Sequence, residues 1–422
     1  MINYASLYKS TTIYSAFFAG VLLGFGFRST YSCLFGWYSR DKLQSSSSSS
    51  RCQPIQPPPD VPLGIESTIG NTPMFKIKSL SQATGCTIMA KAEFLNGAGG
   101  SPKDRVALHM LRVAEEEGIL EPERGDTIYE GTVGSTGISL ASLAKTMGYN
   151  IHICMPSDQS HEKVELLKCL GAHVEKVTPA PIASSEHYVN LARRRALEHS
   201  KLTPETKGFF ADQFENLTNF KAHVLSTGPE IWAQTGGILD AFVAGAGTGG
   251  TISGVSHYLK DQMSMGNKLK VVLADPEGSG LHNKILYGVM YSNTEKEGTR
   301  RRDQVDSIVE GIGINRLTQN FDVGQSLIDD SIKVTDLQAI NMAKWLMEND
   351  GIFVGSSSAV NCVAAVATAL KLPRDSRIVT VLCDSGTRHL SKFWKRVGGL
   401  DWSTEATRPT ELLKLLDLKD SR

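Results

Sequence analysis

The apolar run Ala241-Phe-Val-Ala244 leads without a break into Gly245-Ala-Gly247-Thr248-Gly249-Gly250-Thr251, and that turn opens a helical stretch over residues 252–259. A strand ending in bare backbone at the mouth of a helix presents N–H groups and threonine hydroxyls to a phosphate, because glycine lets the chain close in where a side chain would block it. The same rhythm of apolar run, turn and helix recurs. Residues 87–92, 127–130, 150–155, 173–177, 241–244, 271–274 and 378–382 read as strands. Residues 104–117, 136–147, 162–170 and 360–370 read as helices, the first three followed by Gly118, Gly148 and Gly171, which suit left-handed C-caps. The expectation is an α/β fold with largely parallel sheets and a ligand at the carboxyl ends of the strands.

Composition removes several classes. A chain of 422 residues has room for roughly two or three domains. Lys+Arg and Asp+Glu are both 44, and no long basic stretch is interleaved with aromatics, so nucleic acid is excluded as the main partner. The cysteines form no C-x-x-C pair and the histidines no ligand spacing, so neither a disulfide scaffold nor a metal site is expected; Cys154, in an apolar run, reads as a buried hydrophobe in a reducing compartment.

Residues 1–60 are a different object. Residues 10–27 carry no charge and lie between Lys9 and Arg28; these eighteen residues make one candidate membrane helix of about 27 Å, diluted by glycine, serine and threonine. A retained anchor, a cleaved secretory signal and an import presequence compete here. The anchor is preferred because no small-x-small cleavage site follows and the run is evenly apolar rather than arginine-rich. A short, positively flanked anchor resembles those of mitochondrial outer-membrane proteins, which would leave the catalytic body in the cytosol. Six serines, Ser45 to Ser50, and the prolines from Pro54 to Pro62 then form a disordered linker. The body is expected over residues 61–400, with a smaller mobile lobe at about 105–225, and residues 401–422 as a tail with a short helix.

Four segments can share one site. Asn96-Gly-Ala-Gly-Gly-Ser-Pro-Lys103 puts a lysine at the start of a helix, where positive partial charge pushes its pKa down and makes the amine a better nucleophile toward an aldehyde. Glu130-Gly-Thr132-Val133-Gly134-Ser135-Thr136 is a strand end turning into a helix, fit for a carboxylate. The third segment is the glycine turn described above. Glycines 245, 247 and 250 also satisfy G-x-G-x-x-G, and Asp275 ends the next strand, so NAD competes as long as the turn is read alone. Val354-Gly355-Ser356-Ser357-Ser358 opens a further helix. Together a lysine, a phosphate turn and a hydroxyl point to pyridoxal phosphate, whereas NAD leaves Lys103 and Ser357 without a task.

Ile69-Gly-Asn-Thr-Pro-Met, Ser101-Pro-Lys-Asp-Arg, Gln213-Phe-Glu-Asn, Gly247-Thr-Gly-Gly-Thr and Gly311-Ile-Gly313 occur in an order that resembles the cysteine synthase and cystathionine β-synthase family of fold type II pyridoxal phosphate enzymes, over about residues 62–400. It looks closest to the membrane-anchored fungal branch. The resemblance implies two three-layer α/β domains with the cofactor between them, and a homodimer. It implies that Lys103 forms the Schiff base, that Gly247, Thr248, Gly249, Gly250 and Thr251 hold the phosphate, and that Ser357 faces the pyridine nitrogen. Ser135 takes the place of an asparagine that contacts the cofactor ring oxygen, and Thr132, Thr136 and Gln213 bind the substrate carboxylate.

Two departures stand out. The family's Thr-Ser-Gly-Asn-Thr-Gly is Thr132-Val-Gly-Ser-Thr-Gly here, so a hydroxyl and an amide are missing; losing such a contact weakens binding by roughly 1.5–3 kcal/mol. Residues 280–306 are longer than usual and read as an exposed loop. The resemblance implies β-replacement of O-acetyl-L-serine by sulfide through a bound aminoacrylate, giving L-cysteine and acetate. The rivals are cysteine desulfhydration, cystathionine formation, and a cofactor-bound scaffold without activity.

Overall fold

The computed structural model describes residues 64–291, 307–400 and 409–422, apart from 160, 181 and 421. The chain divides after Val61, and the unit Pro62–Arg422 is the one described below. Its strands are β1 (Met74–Lys76), β2 (Thr87–Ala92), β3 (Thr127–Gly131), β4 (Asn150–Pro156), β5 (His173–Val177), β6 (Gly208–Phe210), β7 (Ala241–Gly245), β8 (Lys270–Pro276), β9 (Asp330–Val334) and β10 (Arg377–Leu382). They form a six-stranded sheet in the order β1-β2-β10-β7-β8-β9 and a four-stranded sheet in the order β5-β4-β3-β6. Among the strand pairings of the described residues, β1–β2 is antiparallel and the rest are parallel.

Parallel sheets covered on both faces need strands that are apolar throughout, and β7, β8 and β10 supply them with Phe242, Val243, Val272, Leu273, Val379 and Val381 all buried. The helix Ser356–Ala369 is buried along its whole length and packs on β7, β8 and β10, which is why it is almost wholly apolar after its serines, with the buried Asn361 and Thr368 both hydrogen-bonded. The seven strands read from the sequence are all present, within two residues at each end. The strands that escaped, β1, β6 and β9, are three residues long or, in β9, alternate Asp330 and Lys333 with apolar residues, so none offers a continuous apolar run.

Helices also follow the local chemistry. Ser135–Met147 ends at Gly148 with φ 79°, whose N–H returns to the Ala144 carbonyl, and Gly118 and Gly171 are left-handed at φ 68° and 84°. The helix expected at 252–259 begins two residues early, at Gly250, and passes into a π-helical turn, His257–Gln262. Within the tail, the helix Pro409–Leu415 brings Leu412 and Leu416 into the core of the six-stranded sheet, and Gln338 Nε2 donates to the Leu416 carbonyl at 2.8 Å.

The mitochondrial outer-membrane address needs correction. No helix among the described residues is long and apolar enough to cross a membrane. The anchor expected at 10–27 and the linker after it lie outside the described residues, as do positions 292–306 of the long loop. The physical weakness is in the composition: eighteen residues diluted by glycine, serine and threonine reach only about 27 Å, against a hydrocarbon core of about 30 Å.

Candidate active site

A cavity of about 280 Å³ opens beside the carboxyl ends of β3, β7 and β10 and takes its walls from both sheets. Lys103, Thr132, Ser135, Thr136, Gln213, Gly247, Thr248, Gly249, Thr251 and Ser357 all line it. Segments up to about 250 residues apart in sequence therefore meet in one place. Gly250 is the exception: it faces away, and a Cβ there would stand 2.0 Å from Asn219 Oδ1. Its service is close packing rather than a place in the wall.

Lys103 is the first residue of the helix Lys103–Glu116. The turn before it is fixed by Asp104, which accepts from the N–H groups of Gly99 and Gly100 at 2.7 and 2.8 Å and from Ser139 Oγ at 2.5 Å. Two positions on, Arg105 is clamped by the buried Glu93 and the partly buried Glu230, with Nε donating to Glu93 at 2.8 Å and Nη1 to Glu230 at 2.5 Å; Lys91 meets the same Glu230 at 2.6 Å. This network holds the helix start on β2. Among the described residues the Lys103 amine has no hydrogen bond or ion pair, and its pKa is lowered. Burial is the leading cause, opposed by Cys383, Asp384 and Glu93, so desolvation explains the shift that the helix terminus was expected to supply.

The Gly247–Thr251 turn is closed by backbone contacts. A Cβ at Gly247 would lie 2.2 Å from the Gly311 carbonyl oxygen, and one at Gly249, whose φ is +91°, would lie 2.5 Å from Phe321 Cα. Only glycine fits either place. The hydroxyls are held from behind: Asn219 Nδ2 donates to Thr248 Oγ1 at 2.8 Å, and Thr251 Oγ1 is 3.2 Å from His223 Nε2. Burial first, then Lys103 and Arg105, keep the His223 pKa well below the ordinary value, so this imidazole is neutral.

The second turn is built from side chains. Thr132 Oγ1 accepts from the Gly134 N–H at 3.2 Å, and Thr136 Oγ1 donates to Gln213 Oε1 at 2.5 Å. Gln213 Nε2 donates to Glu130 Oε1 at 3.0 Å and to the Gly131 carbonyl at 3.3 Å. Both ends of the Gln213 amide are therefore engaged within the protein. Glu130 is fully buried, and burial, with Asp212 nearby, pushes its pKa up to about 8, so at neutral pH it is largely a carboxylic acid.

Among the three serines at the start of Ser356–Ala369, Ser356 Oγ accepts from the Glu310 N–H at 3.0 Å and Ser358 Oγ from the Cys383 N–H at 2.8 Å. Ser357 is the one that faces the cavity, beside Cys383, whose thiol is pushed up to about 11 mainly by burial. Asp275, the acid that made NAD a competitor, does not line the cavity; it is buried, accepts from the His282 N–H at 2.7 Å and starts the helix Leu281–Tyr287.

Sequence reasoning missed one wall. Glu310 meets Lys163 of the helix His161–Cys169 at 2.7 Å, His389 Nδ1 at 3.4 Å and Lys392 at 3.4 Å, and His389 Nε2 lies 3.0 Å from Asp384. Burial alone would lower the His389 pKa, but Asp384 and Glu310 outweigh it and raise it to about 9. These residues lie 147, 79 and 82 positions from Glu310 in the chain, for Lys163, His389 and Lys392 respectively, so no local spacing reveals them.

The residues present fit pyridoxal phosphate: a buried amine without a partner for its aldehyde, a cradle that no Cβ can enter for its phosphate, and a cavity-lining hydroxyl, Ser357, beside the Cys383 thiol for its ring. The family described as pyridoxal-phosphate dependent enzyme matches residues 65–384. The chain belongs to the pyridoxal-phosphate-dependent enzymes, in the group that contains the cysteine synthases. A Neurospora crassa protein named cysteine synthase 2 is 57% identical over 437 residues, covering 96% of this chain and 96% of its own length. A Schizosaccharomyces pombe protein of the same name is 60% identical, covering 79% of this chain and 84% of its own. The crystal structure of O-ureido-L-serine synthase superimposes with a TM-score of 0.67 at 29% identity, over 82% of this chain and 98% of that one. Pyridoxal phosphate is the cofactor of this enzyme.

Proposed function

We propose that the chain is a cysteine synthase, replacing the acetoxy group of O-acetyl-L-serine with sulfide to give L-cysteine and acetate. The observation that carries the reading is the unpartnered, buried Lys103 amine in the same cavity as the glycine cradle and Ser357. When bound, the cofactor supplies an electron-accepting ring that makes an amino acid's Cα proton removable and its β-substituent able to leave.

In this reading the Lys103 amine, kept poorly charged by burial, takes the Cα proton of the substrate. Gly247, Thr248, Gly249 and Thr251 hold the phosphate, with Gly250 supporting the turn, and Ser357 donates to the ring nitrogen. A neutral hydroxyl there favours loss of the β-group over transamination, which calls for a carboxylate. Thr132, Thr136 and Gln213 receive the substrate carboxylate, and Ser135 stands beside the cofactor. Because the Gln213 amide is already engaged, it must exchange at least one partner to reach the substrate. The lobe at about 105–225, which carries Thr132 to Gln213, closes over the cofactor between the two sheets in this exchange, and the enzyme acts as a homodimer.

The test is an assay of the purified holoenzyme with O-acetyl-L-serine plus sulfide, run beside cysteine alone and serine plus homocysteine. Cysteine formation in the first supports the proposal. Turnover only in one of the others replaces it with a desulfhydrase or a cystathionine-forming enzyme, and no turnover in any favours the scaffold.

A further inference from the structure

The four-stranded sheet carries a second cluster, none of whose side chains lines the cavity. His152 and Cys154 lie two residues apart on β4, so both point to the face covered by the helix Tyr188–Leu202, and Glu175 on β5 stands directly opposite Cys154 in the parallel register. We propose that His152 Nε2, Cys154 Sγ and Glu175 Oε2 form a binding site for a zinc ion, with water as the fourth ligand.

The donor atoms are already converged. Nε2 lies 2.9 Å from Oε2, Sγ lies 3.9 Å from Oε2, and the three lie within 4.8 Å of one another. Bonds of about 2.0–2.3 Å at tetrahedral angles place neighbouring ligand atoms roughly 3.3–3.7 Å apart, so shifts of under about 1 Å admit the ion. A thiolate, an imidazole and one carboxylate oxygen are a set that zinc accepts and magnesium or calcium does not.

Arg195 is the evident objection, since its Nε and Nη2 donate to Glu175 Oε2 and Oε1 at 3.1 and 2.8 Å. Only the longer contact is at the ligating oxygen. The Nη2–Oε1 contact persists on ligation and becomes the outer hydrogen bond that orients a metal-binding carboxylate, while Nη1 stays on Glu198 at 3.0 Å. Sγ is buried against Leu191 and Ala192, whereas the His152 and Glu175 side chains keep 16% and 24% of their exposure, so the ion reaches the site from their side. The Cys154 proton passes to solvent as the sulfur–zinc bond forms. The ion would tie the edge strand β5 to β4. Cys154 is the buried, apolar-packed residue that its sequence context suggests, and the zinc role adds to that reading through Glu175, twenty-one residues away.

The test uses the full-length holoprotein carrying Cys33→Ser, Cys52→Ser and Cys169→Ser, which removes the two cysteines ahead of the described residues and the exposed one. Cobalt(II) is titrated as the probe and then displaced by zinc. One equivalent of cobalt is expected to give a thiolate-to-cobalt charge-transfer band that zinc abolishes. Cys154→Ser is expected to lose that band, and His152→Gln to weaken zinc binding at least tenfold in competition with a chromophoric chelator. Both variants should keep the parent's cofactor absorbance, which reports folding. Absence of the band in the parent, or an unchanged band in Cys154→Ser, overturns the site; should Cys154→Ser lose the cofactor absorbance, Cys154→Ala in the same background is read in its place, with the same two outcomes.

Discussion

The two turns that face each other across the cavity are made differently. Gly247–Thr251 is wedged by backbone, with Gly311 and Phe321 where any side chain would begin. Residues 132–136 are held by side chains that bind one another, Thr136 to Gln213 and Gln213 to Glu130. The first shape exists before anything binds. The second is a set of hydrogen bonds that a substrate carboxylate can replace one for one. This explains why the departures from the family pattern, Val133 and Ser135, fall in the second turn and none in the first: swapped hydrogen bonds are tolerable where a misplaced Cβ is not.

The largest expected effect comes from breaking the wedge. Gly247→Ala forces the turn or Gly311 to move, at a cost of about 3 kcal/mol, the upper end for an overpacked interior, and should weaken cofactor binding more than a hundredfold in dialysis against pyridoxal phosphate. Parent-like affinity would mean the turn is pliable after all. Thr136→Val removes the donor to Gln213 and leaves a buried acceptor unpaired, worth about 1–3 kcal/mol. KM for the amino-acid substrate should rise roughly tenfold or more while the cofactor spectrum stays unchanged; an altered spectrum would mean that the two turns do not divide the work as described.

Val133→Ser with Ser135→Asn restores the family's side chains and should lower KM about tenfold, following a regained charge-assisted contact of about 1.5 kcal/mol. No gain would show that backbone or water already fills the place. The smallest effect on the site itself is expected from the wall between the turns. His389 has a folded pKa of about 9 against an ordinary 6.5, so its contribution to stability is complete below about pH 6.5 and is lost as pH rises through 9. The urea midpoint should fall across that window, and the fall should be reduced in His389→Gln.

What could be read in advance follows the same division. The glycine cradle was legible because its constraint is local: a strand, a run of glycines and a helix adjoin in sequence. Lys103 was legible as a residue, but not the cause of its lowered pKa, which is burial by the folded chain, strong enough to outweigh the opposing charges of the distant Cys383 and Asp384. Choosing Ser357 among three serines rested on family resemblance; in the fold it is the one that lines the cavity, while its neighbours accept from the Glu310 and Cys383 amides. Glu310 left no trace because its partners Lys163, His389 and Lys392 lie far away in the chain, and His223 reaches the phosphate turn through Thr251, twenty-eight residues on. Three strands were missed for lack of length or of an apolar run.

The central claim is that Lys103 is the residue that holds the cofactor. The direct measurement is borohydride reduction of the holoenzyme, proteolysis and mass mapping of the pyridoxyl group. The account predicts one pyridoxyl group, on the peptide carrying Lys103, and loss of both this label and the visible absorbance in Lys103→Ala. A pyridoxyl group on any other lysine of the reduced parent enzyme, or visible absorbance that survives in Lys103→Ala, would contradict it.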